Sequence, residues 1–158
     1  QDAVERFWRN IFGGLASARF HRPPSGIGLS GTAQAHIQSA RMLSEAIDVF
    51  ACEPRNDLLS ERDENEAYCM AGVSRDLWSP PTMEAEPRPG PEAAVVFLRP
   101  GSVVLDTSAM RGDLVVRWLD IANRVRLSAQ TVPHADWLHL QTPGEGVQAV
   151  MVFHESGS

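Results

Sequence analysis

The stretch CEPRNDLLSERDENEAYC, Cys52 to Cys69, divides the chain into two regimes. Before it the apolar residues recur every three or four positions, which is the helical period. After it they alternate, or run continuously for five or six residues between turn signals, as strands do. The polar, carboxylate-rich stretch itself reads as the junction between them. The sequence therefore predicts an α+β fold: N-terminal helices over residues 1–51, a junction over 52–65, and a mainly antiparallel β-sandwich of about seven strands over 66–158.

Working outward towards the N-terminus, Gly31 to about Val49 reads as a long helix capped by Ser30, with Ala33, Ile37, Ala40, Leu43 and Ile47 on its buried stripe. AVERFWRNIF after Asp2 forms an earlier helix, ended by Gly13-Gly14, whose apolar face carries Val4, Phe7, Trp8, Ile11 and Phe12. Between the helices, LASARF (Leu15 to Phe20) fits a short strand or an extended connector, and Pro23-Pro24 enforces extended and turn geometry.

Working outward towards the C-terminus, Glu66 to Ala71 reads as a first strand. Residues 72–92 hold five prolines among polar residues, the composition of an irregular insertion. AAVVFL (Ala93 to Leu98) is apolar throughout and predicts burial on both faces. Arg99-Pro100-Gly101-Ser102 has type II turn chemistry, which predicts a hairpin with SVVLDT as the return strand. In DLVVRWLDI, Leu114, Val116 and Trp118 share one face, and Val115, Arg117 and Leu119 the other. RVRLSAQTV alternates strictly, placing Val125, Leu127, Ala129 and Thr131 inward. DWLHLQ places Leu138 and Leu140 inward and leaves Trp137, His139 and Gln141 outside, before a last strand from Val147 to Phe153.

Composition removes several classes of function. With 158 residues the chain can bury a real core, about 68–70% of its unfolded surface. Its net charge of −6 argues against a nucleic-acid partner, because phosphate binding needs clustered positive charge. All 14 basic residues are arginine, so Schiff-base and P-loop lysine chemistry is excluded. Two cysteines are too few for a four-cysteine metal site, and they fit either one disulfide or two buried thiols. The absence of an apolar run near 18 residues predicts no membrane span. No signal peptide is read in the chain as given, so it is expected to be soluble, with its compartment undetermined.

Motifs for small ligands are weak. GIGLSG, Gly26 to Gly31, matches the G-x-G-x-x-G pattern, but prolines rather than a strand precede it and βαβ repeats are lacking, so no cofactor is expected. The histidines at 21, 36, 134, 139 and 154 lack metal-ligand spacing, and ERDENE (Glu61 to Glu66) lacks the EF-hand pattern, so no metal is expected either. An autonomous hydrolase would need a carboxylate pair such as Asp57 and Glu61 in one cleft. Trp137 is the informative oddity: a large ring on the polar face of a strand can stack on a sugar or lie under a neighbouring loop.

FWRNIFGGLASARFHRPPSGIGLS, the long helix, NDLLSERDENEAYC and LVVRWLDI together resemble the apiosidase-like glycoside hydrolase family, spanning the end of its barrel and a following β-domain labelled as collagen-binding. The motifs FWRN-x-x-GG, ARFHRP and NEAYC carry most of that likeness. The resemblance implies that Ala16 to Phe20 corresponds to the final barrel strand. His21 and Arg22 would then lie just past its C-terminal end, where barrel enzymes contact substrate. It also implies that the catalytic carboxylates belong to an upstream barrel. The expected protein is thus a catalytically incomplete relative of glycoside hydrolases, an accessory or carbohydrate-binding module with His21, Arg22 and Trp137 as sugar contacts. The alternative is a structural or protein-interaction module. Without a barrel, the faces bearing Phe7, Trp8, Ile11 and Phe12 must pack on the sandwich or on a second copy, which predicts a homo-oligomer.

Overall fold

The computed structural model describes residues 2–15, 28–49, 51–63, 66–72 and 93–154. Two helices come first, α1 (Asp2–Phe12) and α2 (Gly31–Ala46). Nine strands follow among the described residues: β1 (Cys52–Pro54), β2 (Leu59–Ser60), β3 (Ala67–Gly72), β4 (Ala93–Leu98), β5 (Ser102–Asp106), β6 (Leu114–Asp120), β7 (Val125–Val132), β8 (Trp137–Gln141) and β9 (Gln148–His154). A six-stranded antiparallel sheet has the order β1-β3-β4-β9-β6-β7, and a three-stranded one the order β2-β5-β8. The expected α+β sandwich is the fold observed, and no described helix is long and apolar enough to cross a membrane.

The layering follows from strand periodicity. Ala94, Val96 and Leu98 of β4 face the small sheet and meet Val103, Leu105 and Leu140. Ala93, Val95 and Phe97 face the opposite way and meet Phe7, Trp8, Phe12 and Leu43 from the helices. The large sheet is therefore the middle of three layers, which is why AAVVFL is apolar at every position. β6 divides likewise: Leu114 and Val116 belong to the inter-sheet core and Leu119 to the helical one.

The helices are held by an aromatic cluster. The Trp8 ring, fully buried, lies 5.6 Å from Phe97 at an interplanar angle of 26°, and Phe7 packs edge-on against Trp8. The Trp8 indole N–H donates to His36 Nδ1 at 2.9 Å, coupling α1 to α2. One turn further along α2, the buried Ser39 hydroxyl donates to the Ile121 carbonyl at 2.7 Å. Ser30 caps α2 by accepting from Ala33 N, and Gly14, at φ 76°, ends α1 with Leu15 N returning to the Asn10 carbonyl.

Several expectations are refined or corrected. The stripe of α2 is as expected but wider: Ala33, Leu43 and Ile47 are buried and Ile37 and Ala40 pack against the helical core, while His36 and Ser39 are buried as well. Of the two packings expected for the faces bearing Phe7, Trp8 and Phe12, the structure shows the one on the sandwich, with all three buried against Val95 and Phe97. β4 and β5 do not form a hairpin. The Arg99–Ser102 turn carries the chain across to the small sheet, where β5 pairs with β2 and β8. The crossing is pinned by Gly101 N to Thr142 Oγ1 and Thr142 N to the Gly101 carbonyl, both at 3.0 Å. The junction contributes β1 and β2, one strand to each sheet. β7 does not alternate strictly: its pairing with β6 shifts register between Arg117 and Leu119, and the strand is an exposed edge.

The cysteines sit on opposite faces of the large sheet, Cys52 in the helical core and Cys69 in the inter-sheet core. Cys52 pairs with Gly72, three residues from Cys69, so the two thiols cannot form a bridge. Gly72 is required there: a Cβ would lie 2.4 Å from the Ala51 carbonyl oxygen. The segment LASARF, apart from Leu15, lies outside the described residues, as does nearly all of the proline-rich insertion.

Burial lowers the pKa of His36 below its ordinary value of 6.5. The unfolded chain therefore takes up a proton first, and this contribution to stability, complete above about pH 6.5, is lost as the pH falls through the folded value. The melting temperature should fall between pH 7.5 and 5.5, and His36→Gln should flatten that fall. An unchanged slope in the variant would remove His36 as its cause. Burial raises the Cys52 thiol to about 11 and the Cys69 thiol to about 12. Neither should react with Ellman's reagent at pH 8 until the protein is denatured, when both should.

Candidate functional site

The outer face of the small sheet carries alternate residues of β5 and β8, polar except for the buried Val104 and the exposed Trp137. In register, Ser102 opposes Gln141, Val104 opposes His139 and Asp106 opposes Trp137. Leu138 and Leu140 turn into the inter-sheet core, so Trp137, His139 and Gln141 face outward as expected. Trp137 is 54% exposed, unusual for so large an apolar ring. No partner for its indole N–H occurs among the described residues.

The end of β5 fixes this tryptophan from behind. The buried Thr107 hydroxyl donates to the Ala135 carbonyl, and Thr107 N donates to the Asp136 carbonyl at 2.9 Å. His134 Nε2 lies 3.3 Å from the Thr107 carbonyl. The four residues joining β7 to β8 are thus tied to β5, and Trp137 is presented by a rigid strand start rather than a loose loop.

Asp106, directly across from Trp137, is equally fixed. Its Oδ1 accepts from the Ser108 hydroxyl at 2.6 Å and from Ser108 N at 2.9 Å, an Asx-type turn. These bonds, the hydroxyl first, hold its carboxyl below the usual range, and the nearby Arg55 adds to the effect. Asp106 is therefore a carboxylate at neutral pH with Oδ2 turned to no described donor. Arg55 belongs to the same neighbourhood but is committed: its guanidinium donates to Asp57 Oδ1 at 2.9 Å and Oδ2 at 2.8 Å. The Asp57 carboxyl is held low chiefly by the hydrogen bond from that arginine, which suits a structural ion pair and not a general acid.

The sequence reading singled out Trp137 but missed Asp106, Thr107 and Ser108. The available signal was Asp-Thr-Ser after an apolar run, a side-chain-to-backbone turn motif; what sequence could not supply was its opposition to Trp137. His21 and Arg22 lie outside the described residues, so they are not brought to this face or to any other. No grouping of metal-ligating side chains occurs among the described residues.

A second concavity, a cleft of about 430 Å³, opens between α1 and α2 down to Met70 and Val95 of the large sheet. Its walls are mainly apolar, with Arg41 and Ser44 among the lining residues, so it offers few groups to orient a polar ligand.

No family model matches the sequence, and no curated protein matches it. Glycoside hydrolases are among the solved structures that share this fold. One superimposes with a TM-score of 0.67 at 11% identity over 99% of this chain and 37% of its own. Another is a glycoside hydrolase family 5 protein from Bacteroides vulgatus, with a TM-score of 0.64 at 13% identity over 96% of this chain and 35% of its own. The chain has the fold of part of a glycoside hydrolase. It spans little more than a third of either protein's length.

Thr107→Val, which removes the buried hydroxyl and leaves the Ala135 carbonyl unpaired, should cost about 1–3 kcal/mol in urea unfolding. A variant as stable as the parent would mean that this hydrogen bond does not hold the Trp137 strand in place.

Proposed function

We propose that this chain is a glycan-binding accessory module related to glycoside hydrolases, with the outer face of the small sheet as its contact surface. The observation that carries this reading is the exposed Trp137, held by a rigid strand start directly beside the oriented Asp106 carboxylate. An aromatic ring covers the apolar face of a pyranose, and a fixed acceptor takes its hydroxyl protons, the two kinds of contact a sugar requires. The likeness to parts of two glycoside hydrolases, and the motif resemblance to the apiosidase-like family, support a glycan as the ligand. The commitment of Asp57 to Arg55 favours contact over cleavage, because hydrolysis needs a carboxyl free to donate or take a proton. His21 and Arg22 would be a separate contact region in this reading.

A protein-interaction role, with a second copy of the chain as the simplest partner, is the other reading. The apolar cleft between α1 and α2 favours it.

Affinity electrophoresis and calorimetry with a panel of soluble plant and bacterial polysaccharides test the first reading. Trp137→Ala should weaken glycan binding at least tenfold, a loss of about 1.4 kcal/mol or more, while unfolding stability stays within about 0.5 kcal/mol, as expected for a surface change. Binding unaffected by the substitution would move the site away from this face.

A further inference from the structure

Resting on the glycan-binding reading above, we infer that the Trp137–Asp106 face selects neutral sugars and discriminates against anionic ones such as uronates and sulfated glycans. Asp106 and Trp137 are direct cross-strand partners, so a ring stacked on the indole meets the carboxylate at its edge. That edge can carry hydroxyl groups, which donate to Asp106, but not a carboxylate or sulfate, which has no proton to give and repels it.

The surrounding charges point the same way. Asp136, immediately before Trp137, is exposed. Arg55, whose charge reaches Asp106, is occupied by bidentate pairing with Asp57. Paired in this way, Arg55 and Asp57 are together neutral and offer an anionic sugar less attraction than a free guanidinium would. His139 and Gln141 continue the face along β8 with groups that can both donate and accept, again suited to hydroxyls. Nor does the rest of the chain offset the local charge, since its net charge is −6.

Asp106→Asn keeps an oxygen to accept from Ser108, and so keeps the turn, but removes the charge. Calorimetry would compare the parent and this variant on two probes, neutral xylo-oligosaccharides and the same oligosaccharides bearing glucuronate, at low and at 0.3 M salt. The parent should bind the neutral probe at least fivefold more tightly at low salt, with the preference shrinking at 0.3 M. In the variant, neutral binding should weaken about tenfold and the preference should fall towards one. Equal or tighter binding of the glucuronate probe by the parent would overturn the charge selectivity and leave glycan binding standing. Failure of both probes, together with every neutral polysaccharide of the wider panel, would overturn both.

Discussion

β4 has no face that can be left in water, and the rest of the architecture answers that constraint. Its six residues are all buried, three against the small sheet and three against the helices. A sheet covered on one side only would leave Ala93, Val95 and Phe97 exposed, a hydrophobic stripe through the centre of the molecule. The helical layer is therefore as necessary to this sandwich as its second sheet. Phe97 is the point of attachment: Trp8, Phe12 and Tyr68 all have ring centroids within about 6 Å of it. The ion pair between Arg99 and Glu5 adds a polar tie where β4 leaves the sheet.

The Trp8–His36 hydrogen bond makes that attachment specific. Apolar packing alone would allow α1 and α2 to slide, whereas a buried indole N–H must find an acceptor and His36 Nδ1 supplies it. The bond requires an unprotonated Nδ1, so the docking of the helices is linked to pH through one imidazole. Ser39, held by the Ile121 carbonyl, fixes the same helix at the end of β6. Two side-chain hydrogen bonds thus set the position of α2 on a surface that is otherwise non-directional.

The small sheet is the more economical layer, and its outer face carries the exposed Trp137 and the oriented Asp106. Because Leu105, Leu138 and Leu140 anchor β5 and β8 from below, the alternate positions Asp106, Trp137 and His139 are held at strand geometry. The crossing from β4 to β5, locked by Thr142, and the return from β7, locked by Thr107, make this sheet a rigid flap on the large one. Rigidity would serve the proposed glycan surface, since each contact there is weak and ordering a mobile ring would consume the gain.

Local rules were enough to read α1, the Ser30 cap of α2, the span of β3, the double burial of β4 and the outward placement of Trp137, because each depends on periodicity or turn chemistry within a few residues. The sequence by itself thus determined the two helices, the strands from β3 onward and which side chains of β6 and β8 face a core, but not β1 and β2, which it read as junction. Only the tertiary structure decided the partners. Arg-Pro-Gly-Ser marks a turn but not whether the chain returns beside β4 or crosses to another sheet; long-range pairing of β5 with β8 decides that. Alternation in β7 could not reveal a register shift or an edge position, since both depend on what β6 presents. The cysteines look bridgeable in sequence and are not, because an odd offset across an antiparallel pair puts them on opposite faces of one sheet. Asp106 joins Trp137 in the proposed site in the same way, through a strand pairing that spans 31 residues of chain and that no local pattern encodes.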